Sequence, residues 1–513
     1  MGLIATLAIV YGKFIAIFSF MPLRWMVSFG LAITILFFGF VSKSPKRFFL
    51  FMLCLSLPIA SRNFIGACTR VNFSGPPGFY TDFRDFPLAI LYVFCISNVF
   101  IMKREKLRFS SFDWCFLALL LACILSIYNS RDFTLSLFMM FRLAVTYAMF
   151  YYMANFVSNI SEVRTIIIAL LLGAALECSL AFLQFIHGGT LGLGLLGEAQ
   201  ELLVYSGETM KSLRIAGTLR HPNAFSTYLG FIIPLGTMML LCPIRKAYKA
   251  ICITVVGMSL MALVLTLSRG GWLSLAVAMI VIMAGCLKAK MIKARALFPI
   301  TMKVGLALFL LTAVFQGVLR DRLIHDDYDA AMTRVPLMQV ATEIISSHPF
   351  IGIGINNYTE VHQEYDKTPE RITSHIPNPV HNSYMLILAE TGIVGIASFL
   401  IFVVLICSAG RKIILRSVEE RFIACVAIGV LGGMTAFLVH ILFEPMNLDT
   451  PAFAFFWLES GFLIALLRIS KRTATTKETS MKFNSSTPLA LDENHISGKK
   501  ILHGSRLTSS SQV

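Results

Sequence analysis

Apolar runs of about 17–25 residues recur along almost the whole chain, each long enough to cross ~30 Å of hydrocarbon. Backbone polar groups inside a bilayer must be satisfied within their own segment, so a chain written this way folds as helices packed side by side. The pattern predicts an all-α polytopic membrane protein with about fourteen spanning helices. They fall at 3–20, 25–42, 48–61, 85–101, 112–128, 136–156, 164–186, 223–242, 250–267, 271–287, 298–317, 383–407, 422–442 and 451–468. Only 14% of the 513 residues are charged and 57% are hydrophobic, which excludes an ordinary soluble protein.

A net charge of +16 brings nucleic acid to mind as a partner, but the basic residues cluster in short loops and no RNA- or DNA-binding motif accompanies them. Lys43, Lys46 and Arg47 fall on the same side of the fourteen-helix count as Lys103, Arg104, Lys106 and Arg108. So do Arg245, Lys246 and Lys249, then Lys288, Lys290, Lys293 and Arg295, then Arg411, Lys412, Arg416 and Arg421. The positive-inside rule makes that side cytoplasmic and puts both termini there. The eleven cysteines lie almost all in apolar runs, only Cys68 clearly in a loop, so no disulfide framework is legible. The first apolar run lacks a small-residue cleavage site and reads as a retained helix.

The opposite side carries the longer loops, 62–84, 187–222 and 318–382. In the last of these, Val335, Leu337, Met338, Val340, Ala341, Ile344 and Ile345 predict an amphipathic helix between Arg334 and Ser347. It can lie along the outer membrane surface and floor a lateral cavity, or simply pack. The organisation expected is an N-terminal helical region over 1–186, a chemistry-bearing membrane region over 187–468 containing the large outer loop 318–382, and a tail over 473–513. That tail is rich in Ser, Thr, Lys and Asn and reads as cytoplasmic and disordered.

Four patches that could carry chemistry face the outer side. One runs from Arg214 through Gly217, Thr218, Arg220 and His221 to Pro222 and Asn223; another is Ser268-Arg269-Gly270-Gly271. The third joins Arg334 to the run from His348 through Pro349, Gly352 and Gly354 to Tyr358. The fourth is the stretch His381-Asn382 to Gly395, at the mouth of a membrane helix. His381 is either an interfacial anchor or, as neutral imidazole, a base near pH 7. Arginines at helix mouths often snorkel, yet on the outer side they run against the charge bias. A planar guanidinium suits bidentate capture of phosphate. A base with several phosphate-binding cations at a membrane face fits a lipid-linked pyrophosphate substrate. No carboxylate-rich cluster demands a metal, and Asp326, Asp327 and Asp329 read as a solvated loop.

At these residues the sequence resembles the bacterial O-antigen ligase and polymerase family of membrane glycosyltransferases. The ligase pattern of His, then Asn/Ser/Gln, nine residues, Gly, two residues, then Gly/Thr/Tyr is met by His381, Asn382, Gly392 and Gly395. Ser268-Arg269-Gly270 matches the Ser-Arg-Gly turn, and Arg214, Gly217, Thr218, Pro222 and Asn223 match the Arg…Gly-Thr…Pro-Asn entry. Arg334, Pro349, Gly352 and Gly354 match the Arg-helix-Pro-x-x-Gly-x-Gly segment. The resemblance implies a GT-C-like architecture in a bacterial inner membrane, with the active site facing the periplasm and no cofactor or metal. It implies inverting transfer from an undecaprenyl diphosphate-linked glycan to a glycan, lipid A-type or protein acceptor, as polymerase or ligase of a surface polysaccharide. By carry-over His381 would be the base, with Arg214 and Arg269 holding the diphosphate, Arg334 as a helper and Asn382 beside the base. Arg220 and His221 stand where many members have smaller residues.

The rival reading is a flippase or transporter of lipid-linked oligosaccharides, which would hold diphosphate with the same arginines. A transporter should place charged or helix-breaking residues near the midplane. Glu177 and His440 are the residues in the spans that fit that description. A membrane scaffold would explain neither the outward arginines nor the long outer loop.

Overall fold

The computed structural model describes residues 23–65, 72–103, 107–206, 210–292, 327–416 and 421–485. The expected spans 3–20 and 298–317, Cys68 and Asp326 lie outside the described residues. Residues up to Ser470 form one compact unit and Lys471–Val513 a second.

The first unit is a helical bundle. It begins with α1 (Leu23–Val41) and α2 (Pro45–Leu55), followed by a two-rung antiparallel hairpin, β1 (Asn63–Phe64) with β2 (Tyr80–Thr81). Then come α3 (Asp85–Ile96, continued by a π turn over Ser97–Ile101), α4 (Ser111–Ser126), α5 (Phe133–Phe156) and α6 (Ile160–His187). A second antiparallel hairpin, β3 (Leu203–Ser206) with β4 (Met210–Leu213), leads into α7 (Pro222–Leu241), α8 (Lys246–Leu265) and α9 (Arg269–Lys288). After α10 (Asp327–Ser347) and the single turns α11 (Tyr358–Val361) and α12 (Ile372–His375) come α13 (Ser383–Arg416), α14 (Arg421–His440) and α15 (Pro451–Ser485).

Among the described residues nine helices are long and apolar enough to cross a membrane: α4 to α9 and α13 to α15. Trp25–Val41 and Asp85–Ile101 are apolar but shorter. The helix expected over 48–61 spans only Pro45–Leu55. It stops ahead of Pro58, which lacks a backbone N–H and biases Leu57 away from helix. The count of fourteen is therefore not reached among the described residues. The strands were not anticipated, since each is too short for an alternating pattern to register. At the C-terminal end, helix continues to Ser485, past 468 and into the stretch expected to be a disordered tail.

Lipid tails are as apolar as leucine, so close packing rather than water exclusion holds membrane helices together. The centre shows this. Helix α14 lies against α7 and α9. A Cβ at Gly429 would come 2.9 Å from the Leu235 Cα, and one at Gly433 3.0 Å from the Phe231 Cα. On the other flank α4 packs on α13, and α15 is buried almost throughout from Ala452 to Ser470. Its Trp457 ring meets Phe116 at 4.4 Å and Phe402 at 4.6 Å between centroids.

A smaller apolar cluster fastens the segment between α10 and α13. Leu337, Val340, Ala341 and Ile344 of α10 are buried, whereas Val335 and Met338, expected on the same face, are exposed. Val340, Ala341 and Ile344 pack with Ile353, Tyr358, Val361, Val380, Leu386 and Ala389.

At the end of the bundle where α5 and α7 begin, ionic side chains tie the N-terminal helices to the α14–α15 connection. Arg62 pairs with Asp449 at 2.9 Å, and Arg142 pairs with Asp85 at 2.6 Å and Asp82 at 3.2 Å. Arg84 reaches Asp82 at 2.6 Å. The Tyr80 hydroxyl donates to Asp449 at 2.9 Å, with the Arg142 guanidinium 4.3 Å from its ring centre.

Candidate functional site

The first patch is held in place by α6. Both Glu177 carboxylate oxygens are engaged by Thr218, at 2.8 Å from its backbone N–H and 2.6 Å from its hydroxyl. The Gln184 side chain accepts from the Ala216 and Gly217 N–H groups and donates to the Gly217 carbonyl. This anchoring delivers Arg214, which is buried, to the mouth of α7. Its Nε donates to the Thr266 carbonyl at 2.8 Å and one Nη to the Asn223 side-chain oxygen at 2.7 Å. Burial is the larger cause that pulls its pKa down to about 10, with Arg269 nearby adding to it and Glu444 opposing. It remains a cation at neutral pH.

The second patch is the turn between α8 and α9. Leu267 adopts φ +53, in the left-handed region that side chains avoid. Ser268 then caps α9, its hydroxyl accepting from the Gly271 N–H at 3.3 Å. The glycines that follow permit close helix contact. A Cβ at Gly270 would lie 3.0 Å from the His440 ring and one at Gly271 2.8 Å from the Ser226 hydroxyl oxygen. Arg269, half-buried, stands within electrostatic reach of both Arg214 and Arg334.

The third and fourth patches are two halves of one joint. Gly392 breaks the helical path of α13 with φ +67 and ψ −169. Any Cβ there would come 2.1 Å from the Phe350 carbonyl oxygen, so the close approach and the backbone conformation both require glycine. Across the break Ile353 N–H donates to the Ala389 carbonyl at 3.0 Å, Gly354 N–H to the Glu390 carbonyl at 3.1 Å, and Ile393 N–H to the Pro349 carbonyl at 2.9 Å. The Pro-x-x-Gly-x-Gly segment thus clamps the glycine motif downstream of His381.

His381 sits just before α13, half-buried, and its Nδ1 has no hydrogen-bond partner among the described residues. Burial and, secondarily, the Arg334 charge pull its pKa down to about 4, so the ring is neutral at pH 7. Arg334 projects from α10 to 4.0 Å from Glu444. At that distance and an effective dielectric near 20, unit charges attract by about 4 kcal/mol before desolvation. With 39% of the Arg334 side chain exposed, the net value falls toward that of a surface pair.

Arg214, Arg269, Arg334 and His381 therefore come together at the end of the bundle where α7, α9 and α13 begin. Arg220 turns away, with φ +66 and its Nε donating to the Ala60 carbonyl at 2.9 Å on the side of the Arg62–Asp449 pair. Asn382 acts as a helix cap, its side-chain oxygen accepting from the Tyr384 and Met385 N–H groups at 3.0 and 3.1 Å. His221 caps α7, where its Nδ1 accepts from the Asn223 N–H at 3.1 Å and Nε2 is left as the donor of the neutral ring.

Sequence reasoning missed the far side of the site. Glu444 is buried and accepts a hydrogen bond from the Asn223 amide nitrogen. Burial pushes its carboxyl up, against the pull of that hydrogen bond, Arg334 and Arg214. His440 also belongs here. The Thr227 hydroxyl donates to the Asn223 carbonyl at 2.8 Å, so His440 Nδ1, 2.7 Å away, must be the donor to it. His440 Nε2 has no hydrogen-bond partner among the described residues and lies against Gly270. The signals present were two acids, Glu444 and Asp449, in a short connection and an imidazole inside an apolar run.

Among the described residues no group of three or more His, Cys, Asp or Glu could hold a metal ion. Compared with known proteins, residues 253–400 match the family model described as O-Antigen ligase. The match takes in Arg269, Arg334, His381 and Asn382 and leaves Arg214 and Glu444 outside. No curated protein matches the chain.

Proposed function

We propose that this chain, whose residues 253–400 match the O-antigen ligase family model, is a membrane glycosyltransferase of surface polysaccharide synthesis, a polymerase or ligase acting on an undecaprenyl diphosphate-linked glycan. The observation that carries the reading is the convergence of Arg214, Arg269 and Arg334 beside His381. Cations gathered at the mouth of membrane helices suit a lipid-borne diphosphate, and arginine forks suit its oxygens.

In this reading the acceptor hydroxyl loses its proton to His381 as its oxygen attacks the anomeric carbon. The bond from that carbon to the phosphate oxygen breaks on the opposite face, which inverts the centre, and the lipid diphosphate leaves with the electron pair. The arginines stabilise that leaving charge. In the free protein a pKa of about 4 makes His381 a weak base. A bound diphosphate would offset the Arg334 charge and strengthen the base when it is needed. The reading places the chain in a bacterial inner membrane with the site facing the periplasm, and the chemistry calls for no metal. Of the span residues a flippase could use, Glu177 is held by Thr218 and His440 Nδ1 by Thr227, whereas the Glu459 carboxylate of α15 is buried with no hydrogen-bond partner among the described residues. The gathering of Arg214, Arg269, Arg334 and His381 at one mouth of the bundle favours the enzyme over the transporter.

The test is reconstitution in liposomes with a polyprenyl diphosphate-linked oligosaccharide. His381→Ala is expected to lower transfer by about 10²-fold or more while donor binding persists. Arg269→Lys keeps the charge, loses the fork, and should lower transfer on the order of 10–100-fold. Full activity in either variant would sink that residue's role. Movement of donor across the bilayer without transfer would establish the transporter instead, and product length separates polymerase from ligase.

A further inference from the structure

Three guanidiniums in one site repel one another, and no motif in the sequence says what holds them together before a substrate arrives. Glu444 answers this. Its carboxylate accepts from the Asn223 amide nitrogen, while the oxygen of that same amide accepts from Arg214 Nη2 at 2.7 Å. The two ends of one side chain therefore couple Glu444 to Arg214. The same carboxylate oxygen lies 4.0 Å from Arg334 Nη2.

The position of Glu444 is fixed from behind. Ser383, two residues after His381, donates its N–H to the Ile441 carbonyl at 2.9 Å. Its hydroxyl donates to the Glu444 carbonyl at 2.7 Å and accepts from the Met446 N–H at 2.8 Å. The connection after α14 is thereby latched to the mouth of α13. A buried carboxylate so placed is unexpected in a pocket for an anion, because it repels the ligand that the arginines attract.

We propose that Glu444 is a positioning residue and the resident counter-anion of the site. It orients Arg214 through Asn223 and balances Arg334 until a diphosphate takes Arg334 over, so its charge sets how tightly diphosphate is held. This rests on the reading of the site as one for lipid diphosphates, and it gives that reading a direction. A glycan-bearing donor is a diphosphate diester, whereas the released lipid diphosphate is a monoester with an additional ionisable oxygen. Three uncompensated arginines would retain the more highly charged product. A fixed negative charge among them opposes that retention most strongly for the product.

The experiment is calorimetric titration of the detergent-solubilised full chain with inorganic pyrophosphate at pH 7, comparing wild type with Glu444→Gln. The glutamine oxygen still accepts from Asn223, so the hydrogen bond survives while the charge goes. Pyrophosphate should bind about tenfold tighter to the variant. A residue with only a structural role would leave affinity unchanged or weaken it, and either result with an unaltered melting temperature overturns the proposal. Should Glu444→Gln fail to fold, Glu444→Asp keeps the charge but withdraws it by one methylene from Arg334. Its affinity should lie above that of wild type, and an affinity equal to or below wild type overturns the proposal as well. The underlying reading fails separately, and takes this inference with it, if wild type shows no pyrophosphate binding that Arg269→Lys weakens.

Discussion

Two clusters of arginine stand at the same end of this bundle, and they are built on opposite principles. In one, Arg62, Arg84 and Arg142 face Asp82, Asp85 and Asp449, three charges against three. In the other, Arg214 and Arg334 share Glu444, with Arg269 beside both arginines. The first is close to balanced, with Arg220 a further cation beside it, and is largely buried, which suits a fastening between the N-terminal helices and the α14–α15 connection. The second keeps a surplus of positive charge beside two histidines, His221 and His381, that stay accessible. An arginine at a helix mouth is thus uninformative alone. Whether the surrounding acids cancel it separates a strut from a ligand site.

The comparison is broken most readily at Arg142. Its removal in Arg142→Met leaves Asp85 without its guanidinium and Asp82 with Arg84 alone, and stability should fall by about 3 kcal/mol. Thermal unfolding of the purified protein measures this, and an unchanged midpoint would show that the balanced cluster is no fastening.

The second prediction is smaller and concerns charge at the unbalanced cluster. The folded pKa of His381, about 4, lies below the ordinary 6.5. Protonation therefore favours the unfolded chain, and the stability linked to this ring is intact above about pH 6.5 and lost as pH falls through about 4. Arg334→Gln removes the lesser of the two causes, so the His381 titration should move upward but stop short of 6.5. Histidine ring resonances followed by NMR report the shift. If the titration stays put, Arg334 does not belong with His381.

The smallest effect is expected at Asn382. As a cap whose oxygen takes two backbone N–H groups, it should cost about 1 kcal/mol of stability on change to alanine and almost nothing on change to serine. Pyrophosphate affinity should barely move. A loss of affinity in Asn382→Ala without loss of stability would return this residue to the ligand site and sharpen the boundary of the second cluster.

Much of this was legible in the chain because membrane helices announce themselves. A run from Ile160 to His187 can cross a bilayer only as helix, and caps such as Asn159 and Ser268 mark where such helices begin. Arg214, Arg269, Arg334 and His381 were legible as residue types that make sense at a membrane mouth only with a purpose. Helices cut short were less legible, since the apolar run continues through Leu57 although α2 has already ended at Leu55.

Taken alone, the sequence determined the class of fold, the membrane setting and the motifs it shares with O-antigen ligases. These depend on local composition and spacing, which one strand of text contains. Pairing is not local. That Gly392 is answered by Phe350 and Ile351, that Arg220 turns toward Ala60 while Arg214 reaches Asn223, and that Glu444 closes the site from beyond α14 were decided by the tertiary structure. The physical reason is that an arginine's charge is fixed by its chemistry, whereas its surplus is fixed by which carboxylates the packing of distant helices brings beside it.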